Sequence, residues 1–301
     1  MGNSNVLEDF SAAAAIAVER ASRSVVAVDA RRHMLAAGVH WREGVIVTAN
    51  HAVRREDDIK VLLPDARTAT ASLAGRDPST DIAVLRVESK GQAIPEVGDP
   101  ASLKAGHLVL AVGRVEAGPR ASLGVIGVSG GSWRTWQGGQ INQLIRLGFE
   151  LHPTLSGGLV VDPQGRGLGI CTTRLSRTFG VAIPVSTVNR VVDLLLQKGG
   201  VPKGYLGVGL WPVSIPEDSQ AKLSLEQPAG LMVQHVETNG PASLAGILMG
   251  DVIVRLNDRP VTSIQGLHLL LSEFADATVR IVVIRAGSLA DLSIRVGERL
   301  R

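Results

Sequence analysis

The spacing of apolar residues changes twice along this chain. Leu7, Phe10, Ala14 and Val18 recur three or four positions apart, and this predicts an amphipathic helix over residues 7–22. From Ser24 that spacing gives way to short β-branched runs separated by polar turns, at residues 24–28, 44–48, 58–63 and 82–87. A turn-rich segment, residues 92–100, closes this set. A second set follows at residues 107–113, 121–128, 143–147, 158–162, 167–171 and 180–184. Two groups of about six short strands, each over about 80 residues, fit two small antiparallel barrels better than a parallel α/β sheet. Ser186 then stands as the N-cap of a helical stretch that ends at Gly199 and Gly200. Residues 201–204 read as a linker, and the remaining chain as a separate unit of mixed strands and helices.

Composition narrows the picture without changing it. The chain has 301 residues, 45% hydrophobic and 20% charged, which is a globular balance long enough for two or three compact units. Its net charge of +3 is scattered, and only 3% of residues are aromatic, so neither a basic patch nor a base-stacking platform points to nucleic acid. The single cysteine, Cys171, excludes an intramolecular disulfide and sits in an apolar run as a small buried hydrophobe. The N-terminus has no basic leader region, its apolar stretch from Ala12 to Val18 is short, and Val6 breaks the myristoylation pattern. By sequence alone the chain is expected to be cytoplasmic, with no signal peptide and no membrane span.

The chemistry lies in three short segments: Thr48-Ala49-Asn50-His51, Thr80-Asp81-Ile82-Ala83-Val84, and Leu155-Ser156-Gly157-Gly158. Taken singly they are weak signals: a strand-end histidine, a turn-forming carboxylate and a turn. Ser-Gly-Gly itself occurs twice. After Ser156, however, the chain reads as strand, Asp162-Pro163-Gln164-Gly165 turn and strand, whereas Ser129 leads into Ser132-Trp133 with no hairpin behind it. The order His, Asp, Ser is that of chymotrypsin-like serine proteases. A serine hydroxyl becomes a useful nucleophile when a histidine takes its proton and a carboxylate fixes that histidine's tautomer. The three residues are 30 and 75 positions apart, so only a folded β scaffold can gather them.

These segments, with residues 18–28 and Phe179-Gly180-Val181-Ala182-Ile183-Pro184, resemble the HtrA/Deg family of serine proteases over nearly the whole chain. The last unit adds Tyr205-Leu206-Gly207-Val208, then residues 230–236, 240–247, 250–257 and 261–267, a succession that resembles a PDZ domain. The resemblance implies a mainly β fold: a chymotrypsin-like double antiparallel β-barrel over residues 23–200, after an N-terminal helical segment at 1–22, followed by an α+β PDZ domain at 204–298. It implies His51 as general base, Asp81 as its orienter and Ser156 as nucleophile, with Thr154 and Ser156 N–H groups forming the oxyanion hole. It also implies peptide-carboxylate binding by Leu206, Gly207 and Val208, and no metal or organic cofactor. The expected partners are polypeptide substrates and C-terminal peptides, within a possible homotrimer, and the location by analogy is extracytoplasmic. The expected activity is ATP-independent endoproteolysis of unfolded or damaged proteins.

At the nucleophile the chain departs from the family's Gly-Asn-Ser-Gly-Gly and carries Thr154-Leu155-Ser156-Gly157-Gly158. The backbone donor of residue 154 survives. A β-branched threonine, though, takes the positive φ open to glycine only at a cost of about 1–3 kcal/mol. If the loop relaxes instead, one oxyanion donor is lost, at about 10²–10³ in kcat. The alternative to the protease reading is therefore a catalytically impaired homologue acting as a peptide-binding or chaperone-like protein. Glu150, six residues before Ser156, reads either as a specificity carboxylate favouring Lys or Arg or as a solvated loop residue. His152 reads as a loop residue, and His268 as a surface residue near the start of the last unit's groove helix.

Overall fold

The computed structural model describes residues 5–31, 34–89, 91–176, 178–201 and 203–299; the readings placed on Met1–Ser4 and Pro202 lie outside them. The chain divides into two compact units, one comprising Met1–Thr135 with Gly139–Val201 and the other Trp136–Gly138 with Pro202–Arg301.

The first unit opens with helix α1 (Val6–Ser22), capped by the Asn5 side chain. Its packing face is not the one that the apolar spacing of Leu7 and Phe10 suggests. Ala17 and Ala21 are buried, with Ala14 and Val18 beside them, while Leu7 and Phe10 stay exposed. Small alanines let the helix lie close to the barrel, and the bulkier residues of its first turns have nothing to pack on.

Six strands form the first closed barrel: β1 (Val25–Asp29), β2 (Ala36–Arg42), β3 (Val45–Ala49), β4 (Ile59–Leu62), β5 (Thr68–Asp77) and β6 (Ile82–Val87), in the order β1-β2-β3-β6-β5-β4. The second barrel is built from β7 (Leu108–Val115), β8 (Gly118–Gly130), β11 (Leu144–Leu147), β12 (Leu159–Val161), β13 (Gly167–Thr172) and β14 (Val181–Pro184). A short ribbon of β9 (Trp133–Arg134) and β10 (Gln140–Ile141) precedes β11. The two-residue period assigns each strand's faces. Ile46, Ala83 and Leu85 fill the first barrel's interior, whereas their neighbours Val47, Ile82 and Val84 join Val112, Leu159 and Ile170 in the apolar layer shared with the second barrel. Strands buried on both faces read as unbroken apolar runs.

Helix α2 (Val185–Lys198) closes this unit. It starts one residue before the expected Ser186 cap: Pro184 holds the N-cap position and supplies no side-chain bond, because its ring pre-sets the extended backbone from which the helix departs. The helix ends on Gly199 in the left-handed conformation.

The second unit comprises β15 (Lys203–Tyr205), β16 (Val208–Ser214), α3 (Glu217–Leu223), β17 (Ala229–Val236), α4 (Pro241–Leu244), β18 (Val252–Leu256), β19 (Arg259–Pro260), α5 (Ile264–Leu271), β20 (Thr278–Arg285), β21 (Ser288–Arg295) and β22 (Gly297–Arg299). Its sheet runs β16-β17-β18-β20-β21, so β16 is an edge strand. Leu231, Val233, Ile253, Ile281 and Leu267 form its core. Asp251, buried in this unit, accepts two hydrogen bonds from Arg285 at 2.8 and 2.7 Å and one from the Leu248 N–H. No helix among the described residues is long and apolar enough to cross a membrane.

Candidate active site

His51 and Asp81 meet because the strands that carry them are partners. β3 and β6 pair antiparallel with Ala49 opposite Ile82, so the residues just beyond β3 and just before β6 arrive at one end of the barrel. Asp81 takes a left-handed backbone conformation there (φ 58°) and is almost wholly buried. Its carboxylate is held from three directions. Oδ1 accepts the backbone N–H of His51 at 2.9 Å, and Oδ2 lies 2.8 Å from His51 Nδ1 and 2.5 Å from the Thr172 hydroxyl. The carboxylate thus selects the Nδ1–H tautomer of His51 and leaves the imidazole's Nε2 as its basic nitrogen.

Ser156 follows the short 3₁₀ turn Pro153–Leu155 and precedes β12. The two glycines after it are dictated by space. Gly157 has φ 89°, and a Cβ there would lie 2.3 Å from the Ala37 carbonyl and 2.6 Å from Thr48 Oγ1. This tight approach seats the serine against the barrel, fully buried, with its hydroxyl 3.3 Å from Thr173 Oγ1. Among the described residues that hydroxyl makes no hydrogen bond to His51.

The backbone donors around the serine are turned inward. Thr154 N–H donates to His152 Nδ1 at 3.2 Å, and the same nitrogen lies 2.9 Å from Thr154 Oγ1. Ser156 N–H donates to the Pro153 carbonyl at 3.4 Å, and Leu155 N–H to His152 O at 2.9 Å. Thr154 is absent from the residues of positive φ, so the turn has relaxed away from the glycine-type conformation. Leu155 explains why the turn rests there. Its side chain is buried in the second barrel's core with Leu147, Val160 and Leu168, where an asparagine's amide would be left without water. Cys171 sits behind it and donates its thiol to the Leu155 carbonyl at 2.9 Å. Burial pushes that thiol's pKa up to about 12, which makes it an inert packing group.

Residues 36–170 match the model of the trypsin-like peptidase domain, and residues 204–296 that of the PDZ domain. A "Probable periplasmic serine endoprotease DegP-like" of Pseudomonas putida (strain GB-1) is 33% identical over 262 residues, covering 85% of this chain and 54% of its own length. A "Serine protease Do-like HtrA" of Lactobacillus helveticus is 31% identical over 269 residues, covering 84% of this chain and 65% of its own length. The solved structure "HtrA-type protease AlgW with tripeptide" superposes with a TM-score of 0.65 at 30% identity, over 95% of this chain and 97% of that one. The chain belongs to the HtrA family. It spans about half the length of the Pseudomonas relative it matches.

Among HtrA proteins with a Gly-Asn-Ser-Gly-Gly nucleophile loop, the loop of this chain stands apart by Thr154 and Leu155. Glu150 is exposed to solvent, and His268 lies exposed at the fifth position of the eight-residue α5. Three site residues escape sequence reasoning. Thr172 and Thr173 look like ordinary strand residues, and His152 like a loop residue, because each acts through a partner that only the fold supplies. The one signal available in advance is the hydroxyl pair itself, Thr172-Thr173, at the end of the strand behind the serine hairpin.

In the second unit, Leu206 and Gly207 lie between β15 and β16, Gly207 with φ 77°. Among the described residues, the Leu206 and Gly207 N–H groups donate to no backbone or side-chain acceptor, whereas the carbonyls of both residues are engaged, by Ala242 and Glu237 N–H. Two adjacent N–H groups that donate to no acceptor among the described residues, at the head of an edge strand, are a donor pair of the kind that can hold a carboxylate.

Proposed function

We propose that this HtrA protein is a serine endopeptidase whose nucleophile loop rests closed and opens on engagement of a polypeptide. The observation that carries the reading is the grip of Asp81 on His51, through both the ring Nδ1 and the backbone N–H. A buried carboxylate bonded in this way orients a neutral imidazole and stabilises the imidazolium formed when Nε2 takes a proton. Ser156 Oγ attacks the substrate carbonyl after leaving Thr173 and turning to His51, and His51 returns the proton to the leaving amine. The Thr154 and Ser156 N–H groups become the oxyanion hole once they exchange His152 and Pro153 for the developing alkoxide. The loop conversion thus breaks two hydrogen bonds, each worth about 0.5–1.5 kcal/mol net. That amount is small enough for substrate binding to supply.

The reaction needs no nucleotide, and the substrates are extended segments of unfolded or damaged polypeptides. The second unit binds C-terminal peptides at Leu206, Gly207 and Val208. In line with the relatives described as periplasmic, the chain works outside the cytoplasm. Self-association into a trimer would use the exposed Val6, Leu7 and Phe10 of α1. The test is covalent: a serine-reactive fluorophosphonate labels the wild-type chain, and Ser156→Ala and His51→Ala abolish labelling. Absence of wild-type labelling, with or without an unfolded substrate such as reduced casein, overturns the reading.

A further inference from the structure

The edge strand of the second unit carries Trp211-Pro212, and its hydrogen-bond phase can be worked out from its partner. Glu237 N–H donates to Gly207 O at one end of β16, and Ile215 N–H to Pro228 O at the other. Between them β16 pairs with β17 as Gly209 with His235, Trp211 with Met232 and Val213 with Gly230, with one bulge after Gly209. In an antiparallel ladder, bonded and unbonded pairs alternate. The backbone groups of Gly209, Trp211 and Val213 therefore face β17, and those of Val208, Leu210 and Pro212 face the open edge. Pro212 is tolerated there because its missing N–H costs the sheet nothing on that side.

A peptide added antiparallel to this edge, with its terminal carboxylate on the turn at Leu206–Val208, places its last residue opposite Val208. Its third-last residue then pairs with Leu210, and its fifth-last falls opposite Pro212. Leu210 offers both an N–H and a carbonyl, but Pro212 has no N–H to give. Side chains alternate as well. Leu210 and Pro212 lie opposite the core residues Val233 and Leu231, whereas Trp211 points to the other face and is 59% exposed. The fourth-last side chain of the peptide lies on that same face, directly beside the indole, with Met232 next to it. The second-last side chain lies over Gly209, with the paired His235 behind it.

We propose that this unit reads the last four residues of a polypeptide and no more: Trp211 selects an apolar or aromatic side chain at the fourth-last position, and Pro212 ends the strand register there. The proposal rests on the C-terminal-peptide reading above. The exposed indole gives the fourth-last side chain its contact area, and the proline next to it withholds one of the two bonds of the next pair, leaving only its carbonyl for a fifth-last N–H.

The test uses the full chain and synthetic peptides of three to seven residues ending in Leu-Val, with affinity read by fluorescence anisotropy. Affinity rises from three to four residues and then stays within about twofold up to seven. Replacing a fourth-last Trp by Ala weakens binding about two- to tenfold, the range of one aromatic contact. Trp211→Ala removes that dependence while leaving the three-residue affinity unchanged. Pro212→Ala restores a donor and makes five- and six-residue peptides bind more tightly than four-residue ones. Continued gain beyond four residues in the wild type, or an equal fourth-last preference in Trp211→Ala, overturns the proposal. If peptides with amidated C-termini bind as well as the free acids, it is the carboxylate reading itself that fails.

Discussion

Removal of the His152 ring gives a direct measure of how the nucleophile loop is held shut. His152 Nδ1 is the acceptor for Thr154 N–H at 3.2 Å and lies 2.9 Å from Thr154 Oγ1. The side chain is exposed, so its loss leaves no cavity and threatens the fold little. What His152→Ala removes is the Nδ1 that the Thr154 N–H and Oγ1 share in this turn, counted as one net hydrogen bond. At about 0.5–1.5 kcal/mol net, its loss shifts the closed–open balance about two- to twelvefold toward the open form. Because the closed form dominates, the rate of fluorophosphonate acylation of Ser156 rises by the same factor. His152→Asn keeps an acceptor on a short side chain and stays near the wild-type rate. The assay is the second-order labelling rate at fixed pH, with Ser156→Ala as blank. A His152→Ala chain that labels at or below the wild-type rate, with unchanged melting temperature, refutes the idea that this bond restrains the site.

Other substitutions probe the same region and the core. Thr154→Gly removes the β-branched penalty of about 1–3 kcal/mol on a positive φ, so labelling quickens, and combination with His152→Ala gives a less than additive gain because both act on one turn. Gly157→Ala forces a Cβ to within 2.3 Å of the Ala37 carbonyl at φ 89°; purified variant is expected to be strongly destabilised in urea and unlabelled by fluorophosphonate. Leu155→Ala empties a fully buried site and costs about 2–5 kcal/mol of stability by denaturant titration. His40 is buried in β2, and desolvation holds its pKa below the ordinary 6.5. Its unfolded form binds the proton more readily, so the stability it confers is complete above pH 6.5 and declines as pH falls from there toward the folded value. His40→Leu flattens that part of the melting-temperature profile, and a profile parallel to the wild type would show that other groups set it.

Much of the architecture follows from the apolar pattern alone. Short β-branched runs in two sets become two closed six-stranded barrels, since each run is too short for a helix and too apolar to face water. The helix ending at Gly199 is equally local, because glycine there takes a left-handed conformation at no steric cost. Local pattern fails where packing decides between equivalent faces. Helix α1 buries its alanines rather than Leu7 and Phe10, and α2 starts at Val185 without the serine cap.

The same division holds for the site. The types and order of His51, Asp81 and Ser156, and the substitution of Thr154 and Leu155, are properties of the sequence, because side-chain chemistry and chain order need no fold to be recognised. Their mutual geometry is tertiary. Pairing of β3 with β6 brings His51 to Asp81, and β13 delivers Thr172 and Thr173 from far along the chain to hold the carboxylate and the serine. Whether the Thr154 and Ser156 N–H groups face outward or into their own turn is equally beyond the sequence. Burial of Leu155 in the second barrel and the reach of His152 to Thr154 settled it, since both depend on what lies across a few ångströms of folded space rather than along the chain.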